Sequence, residues 1–405
     1  MSKSNILFVD DDVNLLSGLK RMLRSMRQEF NLEFAENGQE ALDKMTEATF
    51  DIVVSDMRMP GMDGAELLTK IQELHPYAIR IMLTGQADED SILRTVGVVH
   101  QFLAKPCEPD HLKGVLLRAS ALHKLITHDA LKNLVSGIDT LPSIPNVYAK
   151  LRQAIRNPEV PISDIAAIIE EDIAMSAKVL QLVNSAFFGL FQTINSPAHA
   201  VKLLGVNTIQ NLVLSVGAFT ELKINSKIFP AQQLWSHSMA VAGCAKKIAL
   251  AESTDRNLID SCFMGGMLHD IGQLVLLARC QDKYEEAVLL AKKNNSHLRT
   301  AEKEVFGALH GDIGAYLMGL WGMSSPVIEA IGFHHRLDDY PCEEFSPAVA
   351  VHVANAFYYE NIPSAVVGIK HDLNINQLSR LGFTDKLDSW RELCSDFFEQ
   401  EDNSS

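Results

Sequence analysis

The chain is poor in several features that would mark other kinds of protein. Among 405 residues there are six cysteines, at 107, 244, 262, 280, 342 and 394. None pairs as C-x-x-C and none recurs at a fixed spacing, which argues against a disulfide framework and a zinc ribbon and suits a reducing compartment. Basic residues are outnumbered, 36 Lys and Arg against 51 Asp and Glu, for a formal net charge of −15. There is no basic run and no helix-turn-helix segment with basic recognition residues, so no nucleic-acid partner is expected. Long apolar runs are missing too. The nearest candidate, SCFMGGMLHDIGQLVLLA, carries His269 and Asp270 in its middle, so no membrane span is expected. The opening MSKSNILFVDDD offers four apolar residues before three carboxylates, so no secretory leader is expected. Internal repeats and low-complexity tracts are absent. These exclusions lead to the expectation of a cytoplasmic protein.

What is present is a core-forming composition, 47% hydrophobic and 21% charged, on a length that suits two or three domains. Over the first ~120 residues short apolar runs alternate with helical periods. Ile6-Leu7-Phe8-Val9 reads as a strand buried on both faces, and Asp12 as the cap of a helix carrying Leu15, Leu16, Leu19, Met22, Leu23 and Met26. Further strands are expected at Leu32–Ala35, Ile52–Val54, Ile79–Leu83 and Phe102-Leu103, with helices between. The alternation predicts an α/β fold with a five-stranded parallel sheet. After about residue 122 helical periods dominate, as in Ile165-Ile168-Ile169, Val179-Leu182-Val183, and Ser196-Pro197 before Val201 and Leu204, which predicts an all-α second domain. The expected division is 1–122, a helical connector at 123–140, an all-α domain at 141–341, and a helical extension with a frayed tail at 342–405.

In an open parallel sheet, ligands collect at the carboxyl ends of the strands. Asp10 and Asp11 fall there, with Asp56, Thr84 and Lys105 at the ends of three other strands. Three carboxylates in one crevice favour a hard cation such as Mg²⁺. A lysine and a hydroxyl suit the anion formed when one carboxylate is phosphorylated. The motifs VDDD (9–12), SDMRMPGMDG (55–64), LTG (83–85) and AKP (104–106) closely resemble the receiver domain of two-component response regulators, over about residues 4–122. That resemblance implies a flavodoxin-like fold and phosphorylation of Asp56 by a histidine kinase. It implies Mg²⁺ held by Asp11, Asp56 and the Arg58 carbonyl, with Asp10 supporting the acidic pocket. Thr84 and Lys105 would receive the phosphoryl group, Phe102 would be the switch aromatic, and Lys105-Pro106 would be cis.

The second part holds His237, His269, His297, His310, His334, His335 and His352. Adjacent His269-Asp270 offers a nitrogen and an oxygen to one metal or a metal pair, and imidazoles pointing into a helical bundle suggest a metal core. The order His, His-Asp, His, His-His resembles the HD superfamily of metal-dependent phosphohydrolases. LPSIP (141–145), DIAMSAKVLQLVNSAFFG (172–189), AVKLLG (200–205) and GGMLHDIG (265–272) resemble its HDOD branch, over about 135–340. The resemblance implies a signalling or regulatory module and a candidate transition-metal site of His237, His269, Asp270, His310, His334 and His335. Two departures argue against catalysis. Asn355 stands where HD hydrolases place a metal-binding Asp, and an amide is a poorer ligand that cannot act as a base. HHRLDDYP (334–341) lacks the glycine of the cyclic-di-GMP hydrolase element. His297 and His352 are expected to be hydrogen-bonded structural residues, and Met239, Phe263, Trp321 and Met323 core.

The sequence thus predicts a response regulator in which phosphorylation of Asp56 controls a non-catalytic HDOD output, with a receiver-gated metal-dependent phosphodiesterase or phosphohydrolase as the alternative. The expected partners are a sensor histidine kinase or phosphotransfer protein, an unidentified downstream protein or ligand, and a second copy through the 123–140 helix.

Overall fold

The computed structural model describes residues 3–85, 98–125, 142–143, 145–155, 160–184, 193–214, 220–221, 231–341, 343–361 and 373–397, with 95, 135, 138 and 157 as isolated positions. In the N-terminal part, β1 (Ser4–Val9), β3 (Ile52–Asp56) and β4 (Ile79–Thr84) are apolar runs buried almost throughout. Only a sheet covered by helices on both faces accommodates such strands. β2 (Phe30–Ala35) and β5 (Gln101–Ala104) form the edges and are partly exposed. All pairings are parallel, in the order β2-β1-β3-β4-β5. This is the expected five-stranded flavodoxin-like sheet.

Helices α1 (Val13–Met22), α2 (Gly38–Glu47), α3 (Gly64–Leu74) and α4 (Pro109–Leu125) flank the sheet. The first three start where the sequence supplies an oxygen for orphan amides. Asp12 accepts from the Asn14 and Leu15 N–H, Asn37 from Glu40, and Asp63 from Glu66. Each cap is worth about 1 kcal/mol.

The remainder is helical: α5 (Pro145–Ala154), α6 (Ile162–Glu170), α7 (Ile173–Val183), α8 (Pro197–Leu214), α9 (Ala231–Glu252), α10 (Arg256–Leu268), α11 (Ile271–Arg279), α12 (Gln281–Asn294), α13 (Leu298–Phe306), α14 (His310–Leu320), α15 (Ser325–Phe333), α16 (Pro347–Asn361), α17 (Ile375–Arg380) and α18 (Leu387–Cys394). Among the described residues its extended pairing is one short ladder, β6 (Pro142–Ser143) with β7 (Thr220–Glu221). α9, α10, α15 and α16 pack on one another, and α14 lies against α11 and α15. Leu387, Trp390 and Cys394 share one face of α18 and bury it against α9 and its neighbours, so the C-terminal extension is part of the helical core.

The two parts also touch each other. α4 packs on α14, and the Gln101 side chain at the start of β5 donates to the Gly319 carbonyl near the end of α14, at 3.1 Å. Most of the connector (126–134) and the tail (398–405) lie outside the described residues, as does Cys342. Among the described residues one stretch, Arg256–Arg279, is long and apolar enough to resemble a membrane span, but 89% of its apolar 18-residue window is buried inside the fold.

Candidate functional site

The sheet brings the first constellation together. Asp10 follows β1, Asp56 ends β3, Thr84 ends β4 and Lys105 follows β5, all at the carboxyl edge. Carboxylate oxygens of Asp10, Asp11 and Asp56 lie within 4.8 Å of one another, Asp11 being the exposed member. Lys105 Nζ bridges the other two, 2.6 Å from Asp10 Oδ2 and 2.5 Å from Asp56 Oδ1. The Arg58 N–H donates to Asp56 Oδ2 at 3.2 Å. Burial, opposed by Lys105, holds the Asp56 carboxyl above its ordinary range. Burial also pulls Lys105 down, but the hydrogen bonds and charges of Asp10 and Asp56 outweigh it and keep the ammonium firmly protonated. Three hard oxygens around one point, with a single ammonium against them, fit a small divalent cation such as Mg²⁺.

The Thr84 hydroxyl donates to the Gly85 carbonyl at 3.1 Å instead of reaching Asp56, and Phe102 is buried in the core. Lys105-Pro106 is cis. Gly64, in the MDG run, is required by contact: a Cβ there would meet the Asp56 carbonyl oxygen at 2.0 Å. The glycine lets the start of α3 seat directly on the backbone of Asp56.

The second constellation is assembled at helix junctions. His269 closes α10 and Asp270 opens α11, so the turn between them throws both side chains inward. His237 comes from α9, His310 begins α14, and His334 follows α15. Gly272 makes this assembly close, since a Cβ there would meet the His310 carbonyl oxygen at 1.9 Å.

The carboxylate of Asp270 sits between two imidazole pairs. Its Oδ2 is 3.4 Å from His237 Nε2 and 3.3 Å from His269 Nε2; its Oδ1 is 3.2 Å from His310 Nε2 and 3.7 Å from His334 Nε2. Within each pair the Nε2 atoms face each other, at 3.0 Å for His237 and His269 and 3.3 Å for His310 and His334. The outer nitrogens explain this orientation. His269 Nδ1 donates to the Gly266 carbonyl and His334 Nδ1 to the Ile331 carbonyl, both at 2.7 Å. His310 Nδ1 donates to the Glu302 carboxylate at 2.7 and 2.9 Å. With their protons committed outward, these rings present Nε2 to the centre, the orientation metal-ligating histidines take.

His335 is half-buried beside them, its ring 4.0 Å from that of His334, and it completes a group with Asp270, His310 and His334 whose ligand atoms all lie within 4.8 Å. A second group, His237, His269 and Asp270, shares the same carboxylate. Asp270 Oδ1, though within ion-pair distance of His310, makes no aligned hydrogen bond, and His237 Nδ1 is also buried without a partner. Inward nitrogens and an orphaned carboxylate oxygen fit a divalent transition metal.

Burial lowers His237 and, helped by the charges of His269 and His310, lowers His334 well below the usual histidine range. Burial pulls His310 down as well, but the charge of Glu302 and its contacts with Asp270 prevail and push it up to about 10. In the metal-free protein His310 is therefore an imidazolium lying between two carboxylates.

The remaining expectations divide. Asn355 faces His237 from α16, buried, its Oδ1 without a partner. His352 Nδ1 donates to the His334 carbonyl and its Nε2 accepts from the Asn374 N–H, a structural role as expected. His297 precedes α13, away from these groups. Trp321 and Met323 are core, with Met239 and Phe263 packed against it. Sequence reasoning missed Glu302, and it missed Tyr358 and Tyr359, whose rings lie edge-on and tilted against His237 at 4.3 and 5.0 Å. Glu302 lies in the charged run TAEKEVF, where a glutamate reads as solvated surface.

Residues 6–117 match the response regulator receiver domain, and residues 141–337 match the HDOD domain. The chain thus carries a response regulator receiver domain followed by an HDOD domain. It is 32% identical over 219 residues to an uncharacterized protein of Treponema pallidum, a match covering 54% of this chain and 42% of that protein. It is 31% identical over 118 residues to the transcriptional regulatory protein ZraR of Escherichia coli, covering 29% of this chain and 26% of that one. Among solved structures, the MmoQ response regulator of Methylococcus capsulatus is similar at 21% identity and a TM-score of 0.49, covering 63% of this chain and 98% of that one. The chain thus spans less than half the length of these two curated relatives.

Proposed function

We propose that this chain is a cytoplasmic response regulator, divided at 1–122, 123–140, 141–341 and 342–405, in which Asp56 accepts a phosphoryl group and the HDOD domain is the controlled output. The donor is a phosphohistidine of a sensor kinase or phosphotransfer protein. An Asp56 oxygen attacks phosphorus, the P–N bond breaks, and the departing imidazole keeps the electron pair and takes up a proton. Mg²⁺ held by Asp11, Asp56 and the Arg58 carbonyl would screen the gathering negative charge. Lys105 passes from its bridge between Asp10 and Asp56 to the phosphoryl oxygens, Thr84 leaves the Gly85 carbonyl to join it, and Phe102 repacks. Charge-assisted hydrogen bonds of this kind are the strong ones.

The observation that carries the reading is the Lys105 bridge between two buried carboxylates at the carboxyl edge of the sheet. Inverting a 1:99 equilibrium takes about 5.5 kcal/mol of differential interaction. The test is incorporation of label from a small phosphodonor into the full chain, which Asp56→Asn should abolish. Label persisting in that variant contradicts the assignment.

A second reading is supported by the inward Nε2 atoms around Asp270. Here the HDOD domain holds a divalent transition metal through His237, His269, Asp270, His310, His334 and His335, and the receiver gates a phosphodiesterase or phosphohydrolase. A bound metal would supply an activated water. Asn355 counts against hydrolysis but not against binding. Elemental mass spectrometry of the full chain with and without His269→Ala separates the two: stoichiometric Mn, Fe, Ni or Zn that disappears in the variant favours the metal centre, and an empty site in both favours a phosphorylation-controlled binding module.

A further inference from the structure

Four imidazoles converge on Asp270, and three of them have their outer nitrogen fixed. His269 and His334 are held by backbone carbonyls three residues earlier in the chain, Gly266 and Ile331. Those anchors come with the helix. His310 has no such carbonyl, because it begins α14 and the residues before it turn through Gly307, at φ 71°. Its ring is held by Glu302, eight residues earlier on α13.

Glu302 is fully buried. Both its oxygens lie within hydrogen-bond distance of His310 Nδ1, and Oε2 also accepts the His310 backbone N–H at 3.1 Å. No Lys or Arg pairs with it among the described residues. Burying a carboxylate is costly unless it is paired, and here the pairing goes to one imidazole and the amide of the same residue. A second-row carboxylate of this kind fixes ring rotation and tautomer and makes the opposite nitrogen a stronger donor to a cation.

Resting on the reading of the centre as a metal site, we propose that Glu302 is the positioning residue for His310 and sets the affinity of the half-site formed by His310, His334, His335 and Asp270. It touches no substrate or metal and acts only through the imidazole. The other half-site, His237 with His269, has no buried carboxylate behind it among the described residues: His237 is faced by the neutral amide of Asn355, and His269 leans on a carbonyl. The two halves are therefore unequal, with the Glu302 half the tighter.

Co²⁺ titration of the metal-stripped full chain tests this, followed by its visible absorption and by calorimetry. Wild type, Glu302→Gln, Glu302→Ala and His310→Ala are compared, with thermal melts of the stripped proteins to establish folding. The Co²⁺ equivalent that vanishes in His310→Ala is the one concerned. Its affinity should fall about 10- to 100-fold in Glu302→Ala and less in Glu302→Gln, which keeps an acceptor for Nδ1–H without the charge. Its absorption should shift while that of the other equivalent is unchanged. Wild-type affinity and spectrum in both Glu302 variants would overturn the positioning role while leaving the metal reading intact. Equal loss of both equivalents in proportion to lost stability would overturn it too, since that is what a merely structural residue gives. A wild-type chain that takes no Co²⁺ would overturn the metal reading and this inference together.

Discussion

The residues that matter most here are charged groups held where water is excluded, and their environments set how they respond to pH and reagents. His310 is charged in the metal-free fold, with its pKa raised from 6.5 to about 10. The stability it contributes is fully present below pH ~6.5 and lost as pH rises through about 10. His237, His334 and His352 are lowered by burial, so each is neutral in the fold and protonates on unfolding. Their sign is opposite, and stability falls as pH drops below ~6.5. Chelated protein should therefore be most stable near pH 6.5–7, with denaturant midpoints declining on both sides. A midpoint still rising from pH 7 to 10 would contradict the charged state of His310. The cysteines give a second check. Cys107 and Cys280 are partly exposed, whereas Cys244, Cys262 and Cys394 are buried. Burial pushes Cys262 up to about 12, and the Cys394 hydrogen bond with burial raises Cys244 further. Thiol reagents at pH 8 should modify Cys107 and Cys280 in the native chain and reach the three buried thiols only on unfolding, as mass spectrometry of labelled peptides will report.

At the scale of elements, the functional centres depend on close approach of backbones. Gly272→Ala would drive a methyl into the His310 carbonyl, so α11 and α14 must part. The expected cost is about 1–3 kcal/mol with loss of the histidine geometry, read as a lower melting temperature and weaker metal uptake. α18 is a different case. Trp390 is almost fully buried and donates from Nε1 to Glu252 at 3.1 Å. Trp390→Ala should cost about 3–5 kcal/mol. A neutral result would mean that the extension is not part of the cooperative fold. The strands of the receiver and the Asp12 cap were legible in the sequence because their signals are local: apolar runs of the right length, then an oxygen-bearing residue before the first helix. His269-Asp270 was legible because adjacency alone places two donors together. Glu302 was not, because its role depends on α13 folding back over the start of α14, and nothing within its own helix separates a buried glutamate from a solvated one. Cys244 and Cys394 meet for the same kind of reason, 150 positions apart.

For the whole molecule the question is how the phosphoryl group proposed at Asp56 would be felt at the histidine cluster in the other domain. α14 is common to both. It begins at His310 and, near its far end, the Gly319 carbonyl accepts from Gln101, the residue before Phe102 on β5. α4 packs along the same helix. A repacking of Phe102 would shift the β5 backbone that carries Gln101, and with it the bond that Gln101 makes to α14. The sequence pointed to the receiver and HDOD families but could not place this contact, which depends on which faces the two parts turn toward each other. The account is tested most directly by amide hydrogen exchange across 310–320 in the full chain, with and without a small phosphodonor and Mg²⁺. It predicts that phosphorylation changes exchange in α14 of the wild type, that Asp56→Asn abolishes the change, and that Gln101→Ala weakens it while Asp56 is still phosphorylated. Exchange differences confined to the receiver, with α14 unmoved, would contradict it.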